Sequence, residues 1–147
     1  MKCKNKYKFP LDKKWIRSNI KGKIGTHKGY LKHSIDFLVP EGTPVYAAAA
    51  GKIVWIRNDS NEGGAHKKYW FKGNRIVLKH KNGEYTAYEH LKYKRSLVNL
   101  GDKVKTGQII VYSGNTGYSF HPHLHFEVFH KPCEDESEGE TLEVVFD

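Results

Sequence analysis

Short runs of apolar and β-branched residues, separated by glycine, proline and asparagine, recur along the chain. Residues 35–39, 45–50, 51–56 and 108–112 are runs of this kind. Segments of four to eight such residues between turn-forming residues are typical of β-strands. The sequence shows no convincing helical periodicity and no internal repeat. The pattern therefore predicts an all-β fold: a mainly antiparallel sheet with an open groove, long loops and little helix.

The clearest hairpin pattern joins residues 74–80 to residues 84–91 through the tripeptide Lys-Asn-Gly at 81–83. Asn-Gly between two such runs is a strong signal for a short hairpin turn. We expect an antiparallel hairpin with His90 at the end of its second strand. Trp55, in the run 51–56, is expected in the core. Three histidines without a surrounding motif are expected on the surface: His66, His80 and His130.

The length of 147 residues suits one domain with a core of its own. Residues 1–25 carry nine lysine or arginine residues and are interpreted as a basic N-terminal arm, with aromatic anchors at Phe9 and Trp15. Residues 26–147 are interpreted as a single β domain that ends in an acidic C-terminal segment.

The formal net charge is +9. A basic surface concentrates anionic polymers, so anionic wall polymers are candidate partners, although charge alone does not identify the polymer. The three tryptophans, at positions 15, 55 and 70, are scattered rather than grouped as a base-stacking platform would be. We therefore expect no nucleic-acid partner.

Features of targeting and redox chemistry are few. No window approaches the ~18 apolar residues of a membrane span. The basic N-terminus lacks a following apolar stretch, so it does not have the pattern of a signal peptide. Cys3 and Cys133 lie in no Cys-x-x-Cys motif. They are interpreted as structural or incidental thiols, which could pair if the chain ends meet.

Residues 121–128, with the sequence HPHLHFEV, contain the strongest chemical signal. Side chains alternate along a strand, so His123 and His125 share one face, with an apolar row on the other. Such a pair is compatible with a shared metal, although an isolated His-x-His is more often a surface pair. A catalytic zinc usually has three protein ligands and one open position. The residues that offer further ligands are His27, His33, Asp36 and His90.

Asp36 interrupts the apolar run 35–39. A buried carboxylate is costly unless it has a partner, so the strand setting favours a metal-ligand role over a turn-capping role.

Together these segments resemble the lysostaphin and LytM type of zinc metallo-endopeptidase. The segments that carry the resemblance, in the family's order, are 34–37 (SIDF), 40–45 (PEGTPV), 48–54 (AAAGKIV), 88–91 (YEHL), 101–108 (GDKVKTGQ), 113–117 (SGNTG) and 122–128 (PHLHFEV). The ordered set is far more specific than any single segment.

The resemblance implies one Zn²⁺ per chain, with Asp36 and His125 as ligands and His90 and His123 as the catalytic pair. It also implies an endopeptidase that cleaves peptide bonds in peptidoglycan cross-links or stem peptides, acting outside the cell or in its envelope. The alternative is a catalytically inactive module of the same fold that binds the wall or activates other hydrolases. Which bond is cut, whose wall is attacked and the oligomeric state are left open.

The first histidine ligand departs from the family pattern. Family members commonly have a histidine four residues before the aspartate, where this chain has Lys32. His33 faces away from Asp36 on a continuous strand and needs a bulge at Ser34 to reach it. His27, in a glycine-flanked loop, is the favoured third ligand, and His33 is the alternative.

Other residues have supporting roles in this interpretation. Glu127 shares a face with His123 and His125, so it is a candidate for orienting a ligand imidazole, with a surface ion pair as the alternative. Tyr118 and Phe120, before the histidine strand, are candidates for lining the groove.

Overall fold

The computed structural model describes residues 1–21, 32–130 and 140–147. The strands, numbered in chain order, are β1 (Ser18–Lys21), β2 (Ile35–Leu38), β3 (Pro44–Tyr46), β4 (Gly51–Arg57), β5 (Gly63–Gly64), β6 (Arg75–Lys79), β7 (Glu84–Glu89), β8 (Lys103–Val104), β9 (Ile109–Tyr112), β10 (Gly117–Tyr118) and β11 (His123–His130). The helical elements among these residues are 3₁₀ turns at Lys13–Trp15, Lys67–Tyr69 and Lys81–Gly83. The prediction of a mainly antiparallel all-β fold is confirmed.

A seven-stranded sheet with the order β1-β2-β11-β7-β6-β4-β8 forms the body, and all its neighbouring strands are antiparallel. Strands β3 and β9 form a small antiparallel sheet, and β5 and β10 form a small parallel one. The histidine strand β11 lies between β2 and β7. The sheet therefore brings residues from three distant parts of the sequence side by side.

Alternation along β11 divides the body into two faces. Leu124, Phe126 and Val128 point into the main core, where they join Phe37 and Tyr88. Complete burial of such side chains contributes about 1.5–3 kcal/mol each. The intervening residues of β11 project from the opposite face. That face carries His123, His125 and Glu127 and is called the site face below.

The β6–β7 hairpin forms where the Asn-Gly signal predicted it. Asn82 and Gly83 both have positive φ, at 62° and 67°. Positive φ at two successive residues is the requirement of a type I′ turn, whose twist matches the twist of the flanking strands. The hairpin sets the register that opposes Arg75 to Glu89.

Trp55 does not contribute to the main core, contrary to the prediction. Its side chain is 55% exposed. The register of β4 against β6 shifts between Ile53 and Trp55. A bulge adds one residue and reverses the alternation beyond it. Ile53 therefore points into the core, whereas Trp55 pairs with Val77 at the site face.

His80 is buried, whereas a surface position was predicted. Its ring contacts the Ala50 carbonyl through Nδ1 at 2.7 Å and the Thr86 hydroxyl through Nε2 at 2.8 Å. Tyr7 packs edge-on against it. Burial lowers the pKa of His80, although the hydrogen bond to Ala50 acts in the opposite direction. His80 is therefore a neutral structural residue.

The N-terminal segment packs onto the body. Tyr7 and Leu11 lie in the main core. The buried carboxylate of Glu84 accepts hydrogen bonds from the backbone N–H groups of Lys4 and Asn5. The Tyr7 hydroxyl also donates to this carboxylate. Strand β1 then extends the sheet beyond β2.

Candidate active site

A row of polar side chains crosses four neighbouring strands on the site face. Asp36 lies opposite His125, His125 lies opposite Glu89, and Glu89 lies opposite Arg75. Directly opposed residues of antiparallel strands share a face and have adjacent side chains. The register therefore assembles two carboxylates, an imidazole and a guanidinium into one continuous row.

Asp36 and His125 form the centre of this row. The Asp36 Oδ1 atom lies 3.0 Å from His125 Nδ1. Two ligand atoms on a tetrahedral zinc are about 3.3 Å apart, as follows from zinc–ligand bonds of about 2.0–2.2 Å. The Asp36 side chain is 22% exposed, so this position is open to solvent. The pair fits two of the three protein ligands of a catalytic zinc.

The second nitrogen of His125 faces carboxylates. Its Nε2 atom lies 3.3 Å from Glu89 Oε2 and 3.3 Å from Glu127 Oε2. The Ser34 hydroxyl donates to Glu127 Oε2 at 2.9 Å. Carboxylates only accept, so Nε2 carries a hydrogen and donates it. Nδ1 is then directed at Asp36.

These contacts alter the pKa values of His125, Glu89 and Glu127. Burial acts against protonation of His125, but the charge of Glu89 and the hydrogen bonds that His125 donates to Asp36 and Glu127 raise its pKa well above the usual value. Burial raises the pKa of Glu89. Burial also acts to raise the pKa of Glu127, but the hydrogen bond with His125, the charges of His125 and Arg75 and the hydrogen bond from Ser34 together outweigh it and lower that pKa. Metal binding at Nδ1 has to displace a proton there.

The Nε2 side also offers a set of possible metal ligands. Within the described ranges, Glu89, His125 and Glu127 are the group of three whose ligand atoms all lie within 4.8 Å of one another. Arg75 already faces both carboxylates, with Nε 3.5 Å from Glu89 Oε1 and an Nη atom 3.7 Å from Glu127 Oε1. A second cation there would meet the guanidinium at close range. The Nδ1 side, with Asp36, is therefore the better metal position.

His123 lies beside this position. Its Nε2 atom is 3.7 Å from Asp36 Oδ1, and its Nδ1 atom is 2.7 Å from the His121 carbonyl. A carbonyl only accepts, so Nδ1 carries the hydrogen. In the neutral ring, the basic Nε2 atom then faces Asp36. The Ser119 hydroxyl contacts the same Nδ1 at 3.1 Å and further restrains the ring.

His90 approaches from the end of β7. Its ring centroid lies 4.4 Å from that of His123. The Nδ1 atom donates to the Thr116 carbonyl at 2.6 Å. Burial, reinforced by the adjoining rings of His123 and His125, lowers the pKa of His90 to about 3. His90 is therefore neutral, with Nε2 unprotonated.

The backbone of His90 is in the left-handed region, with φ of 64°. This conformation costs a non-glycine residue about 1–2 kcal/mol. Glu89 and His90 would face opposite sides of a continuous strand. The left-handed residue ends that alternation, so both side chains reach the site face. The strain is therefore located at a residue of the candidate site.

Two glycines bring the loop of Thr116 close to His90. A Cβ atom on Gly117, which has φ of 82°, would lie 2.7 Å from the Gly73 Cα atom and 3.3 Å from His90 Nδ1. Only glycine at 117 permits this approach without displacing the loop. The approach places the Thr116 carbonyl against the His90 ring.

Comparison with known proteins identifies the family of this chain. The model of peptidase family M23 matches residues 30–138. The chain belongs to peptidase family M23. The resemblance to lysostaphin-type enzymes inferred from the sequence is thereby confirmed.

Relatives of this M23 chain include named peptidoglycan enzymes. It is 37% identical over 130 residues to the peptidoglycan DD-endopeptidase ShyA of Vibrio cholerae, covering 82% of this chain and 26% of ShyA. It is 45% identical over 104 residues to lysostaphin of Staphylococcus simulans, covering 67% of this chain and 18% of lysostaphin. The chain thus spans about a quarter or less of these relatives.

A solved structure supports the same relationship. A zinc-containing peptidase from Vibrio cholerae matches with a TM-score of 0.61 and 32% identity, covering 84% of this chain and 36% of that chain. The M23 match includes the positions of Asp36, His90, His123 and His125.

His27, the predicted third ligand, lies outside the described residues. His33 is described, and its backbone N–H donates to the Thr141 hydroxyl. Burial lowers the pKa of His33, and its other charged neighbours are the N-terminus, Lys32 and residues of the C-terminal segment. Ser34, the next residue, contacts Glu127 on the site face. His33 is therefore directed toward the C-terminal segment, away from Asp36.

An aromatic row flanks the histidines of the M23 site. Trp70 packs against Tyr118 with ring centroids 6.0 Å apart, and Tyr118 packs against Phe120 at 5.4 Å. Trp70 is 47% exposed and Phe120 is 65% exposed. Ser119, between the last two rings, contacts His123. The row is an exposed apolar surface joined directly to the loop that precedes β11.

Sequence reasoning missed Glu89, which contacts His125, and also Arg75 and Ser34, which contact the carboxylates around that ring. Glu89 carried a usable signal, because it is a carboxylate within a strand, like Asp36. Arg75 and Ser34 carried none, because their contacts depend on which strands are neighbours.

Among the described residues, no helix is long and apolar enough to cross a membrane.

Proposed function

We propose that this chain is a zinc-dependent endopeptidase that hydrolyses a peptide bond in peptidoglycan cross-links or stem peptides. The observation that carries the proposal is the 3.0 Å approach of Asp36 Oδ1 to His125 Nδ1, with His123 Nε2 at 3.7 Å from the same oxygen. Membership of family M23 and identity to a named peptidoglycan DD-endopeptidase support the substrate class.

The metal ligands in this proposal are Asp36, His125 and His27, with one zinc per chain. Neutral imidazoles and a carboxylate suit zinc, and three protein ligands leave one position for water or substrate. Bound zinc supplies Lewis-acid polarisation of the scissile carbonyl and a water of lowered pKa. Glu127 accepts from His125 Nε2 and orients the ligand ring, and Ser34 holds Glu127.

His123 is the general base. Its Nδ1–H is donated to the His121 carbonyl, so Nε2 is the atom available to take the proton of the attacking water. Taking up that proton creates an imidazolium next to Asp36, whose carboxylate stabilises the charge. The proton is then available for the leaving amine.

His90 acts at the developing oxyanion or at the leaving amine. Its Nδ1–H is donated to the Thr116 carbonyl, which leaves Nε2 for the substrate. In the resting ring Nε2 carries no hydrogen, so His90 has to receive the proton that His123 takes from the attacking water. With that proton, His90 stabilises the oxyanion or protonates the leaving amine. The 4.4 Å separation of the His90 and His123 rings is short enough for the two to act on adjacent atoms of one substrate bond.

The alternative function is an inactive module that binds the wall or activates other hydrolases. Such a module has no need for a complete set of ligand and proton-transfer residues. Asp36, His90, His123 and His125 are all present and grouped, which favours the enzyme. An envelope or extracellular location follows from the substrate, and the net charge of +9 favours contact with anionic wall polymers.

The test combines metal analysis with clearance of peptidoglycan suspensions. The parent is expected to contain about one zinc per chain and to clear the suspension. Clearance is expected to stop after chelation and to resume when zinc is restored. His125→Ala is expected to lose zinc and activity. His130→Ala, on the same strand but at its far end, is the matched control and is expected to keep both. A metal-free, inactive parent that still binds peptidoglycan would support the regulatory module instead.

A further inference from the structure

Glu89 occupies a bridging position behind His125. Its Oε2 atom lies 3.3 Å from His125 Nε2, and its Oε1 atom lies 3.5 Å from Arg75 Nε. Cross-strand register produces both contacts, because Glu89 is directly opposite His125 on one side and Arg75 on the other. The bridge is therefore built into the pairing of β11, β7 and β6.

The bridge closes into a ring of four side chains. Glu127 contacts the same His125 Nε2 at 3.3 Å, and its second oxygen faces Arg75 at 3.7 Å. Arg75 thus faces the outer oxygen of each carboxylate, while both inner oxygens point at one imidazole nitrogen. Two carboxylates at close range repel each other strongly in a buried site unless a cation lies between them. Arg75 provides that cation.

Glu127 alone could accept the single hydrogen on Nε2. The second carboxylate approaches from a different strand and a different direction, so the imidazole plane is restrained by two anchors rather than one. A half-turn of the ring would remove Nε2 from both acceptors and Nδ1 from Asp36. The cost of that rotation is therefore raised by each carboxylate separately.

We propose that Glu89 is a positioning residue for His125, and that Arg75 holds Glu89 in place for this role. Glu89 acts through the imidazole and has no direct contact with the metal or the substrate. It keeps Nδ1 of His125 directed at Asp36, ready for zinc. The proposal rests on the proposed zinc site and adds two residues, Glu89 and Arg75, to its support.

The test measures the zinc dissociation constant of the full chain by competition with a chromogenic chelator. Loss of an outer-shell partner typically weakens metal binding 10- to 100-fold. Glu89→Leu is expected to weaken zinc binding by about that factor. Glu89→Gln is expected to show a smaller loss of zinc affinity than Glu89→Leu. The glutamine oxygen can still accept from His125 Nε2, but the amide N–H then points at Arg75, so only one of the two contacts is kept. Glu62→Gln removes an exposed carboxylate paired with Lys72 and is the matched control, with unchanged zinc affinity.

Two further readouts separate positioning from a purely structural role. Cobalt in place of zinc reports ligand geometry by its visible absorption, which is expected to change in both Glu89 variants. Arg75→Leu is expected to weaken zinc binding as well, because it leaves the two carboxylates without their shared cation. Near-ultraviolet circular dichroism checks that each variant is folded, and the isosteric Glu89→Gln keeps the test decisive if Glu89→Leu does not fold.

A parent that binds zinc tightly, with the same affinity and cobalt spectrum in folded Glu89→Gln and Glu89→Leu, would overturn the positioning role while leaving the proposed function intact. A parent without zinc affinity would overturn both. A lower thermal midpoint of the Glu89 variants with unchanged zinc affinity would assign Glu89 a structural role and reject the proposal.

Discussion

Asp36 and Glu89 face opposite nitrogens of the same imidazole: Asp36 Oδ1 lies 3.0 Å from His125 Nδ1, and Glu89 Oε2 lies 3.3 Å from His125 Nε2. The two carboxylates come from strands on either side of β11. Both side chains are partly exposed, but Glu89 also faces Arg75, whereas Asp36 is flanked by His123. In the proposed zinc site, this asymmetry makes Nδ1 of His125 the ligand atom and Nε2 the anchor.

His123→Ala is expected to reduce kcat about 100- to 10,000-fold, because it removes the general base. Zinc content is expected to stay near one per chain, because the ring contributes no ligand in this assignment. Elemental analysis and clearance rates on the same preparation check both points. A zinc-free His123→Ala protein would mean that the ligand and the base have been exchanged.

His90 offers a test of strain. Because its φ is 64°, His90→Gly is expected to be more stable than His90→Ala by about 1 kcal/mol, while both variants lose activity. Urea unfolding of the zinc-free proteins gives the difference. Lys79, exposed on β6, is the control position, where glycine is expected to be less stable than alanine. Equal stability of the two His90 variants would argue against a strained backbone there.

His80 predicts a pH dependence of stability. Its pKa is lowered in the folded chain by burial, so the unfolded chain takes up a proton first as the pH falls. The contribution of His80 is therefore complete above the unfolded pKa of about 6.5 and is lost progressively below it, until the folded pKa is reached.

His80→Gln provides the comparison, because glutamine is neutral at every pH in this range. The variant is expected to be less stable at pH 7.5, where its hydrogen bonds replace those of His80 imperfectly, but its free energy of unfolding is expected to change less between pH 7.5 and 5.5. Denaturant unfolding at both pH values measures the difference, and contributions of the other histidines cancel. Parallel pH profiles of parent and variant would contradict the assignment.

The aromatic row is expected to contribute to substrate binding and not to the chemical step. Trp70→Ala is expected to raise KM for polymeric peptidoglycan several-fold while kcat is retained, because the ring extends the apolar surface next to the catalytic loop without contacting a catalytic histidine. Trp15→Ala removes an equally exposed tryptophan elsewhere and serves as the control. A fall in kcat with unchanged KM would place Trp70 in the chemical step instead.

Local pattern was enough to predict the strands β2, β4, β6, β7, β9 and β11 and the shared face of the two β11 histidines, but it did not predict β1 within the N-terminal arm. Alternation is a property of each strand by itself, so His123, His125 and Glu127 were correctly grouped on one face. Alternation gave the wrong side-chain direction where the backbone departs from a regular strand. The bulge before Trp55 reversed the alternation of β4, and the left-handed residue at His90 brought two successive side chains to the same face.

The sequence by itself determined the fold class, the family and the residue types of the candidate site, because these follow from ordered motifs and local periodicity. The tertiary structure decided that Asp36 and His125, 89 residues apart, lie in register, and that Glu89 and Arg75 continue the same row. It also decided the burial of His80. Strand order and register depend on contacts between distant segments, whose energy is gained only when the whole sheet packs on its core.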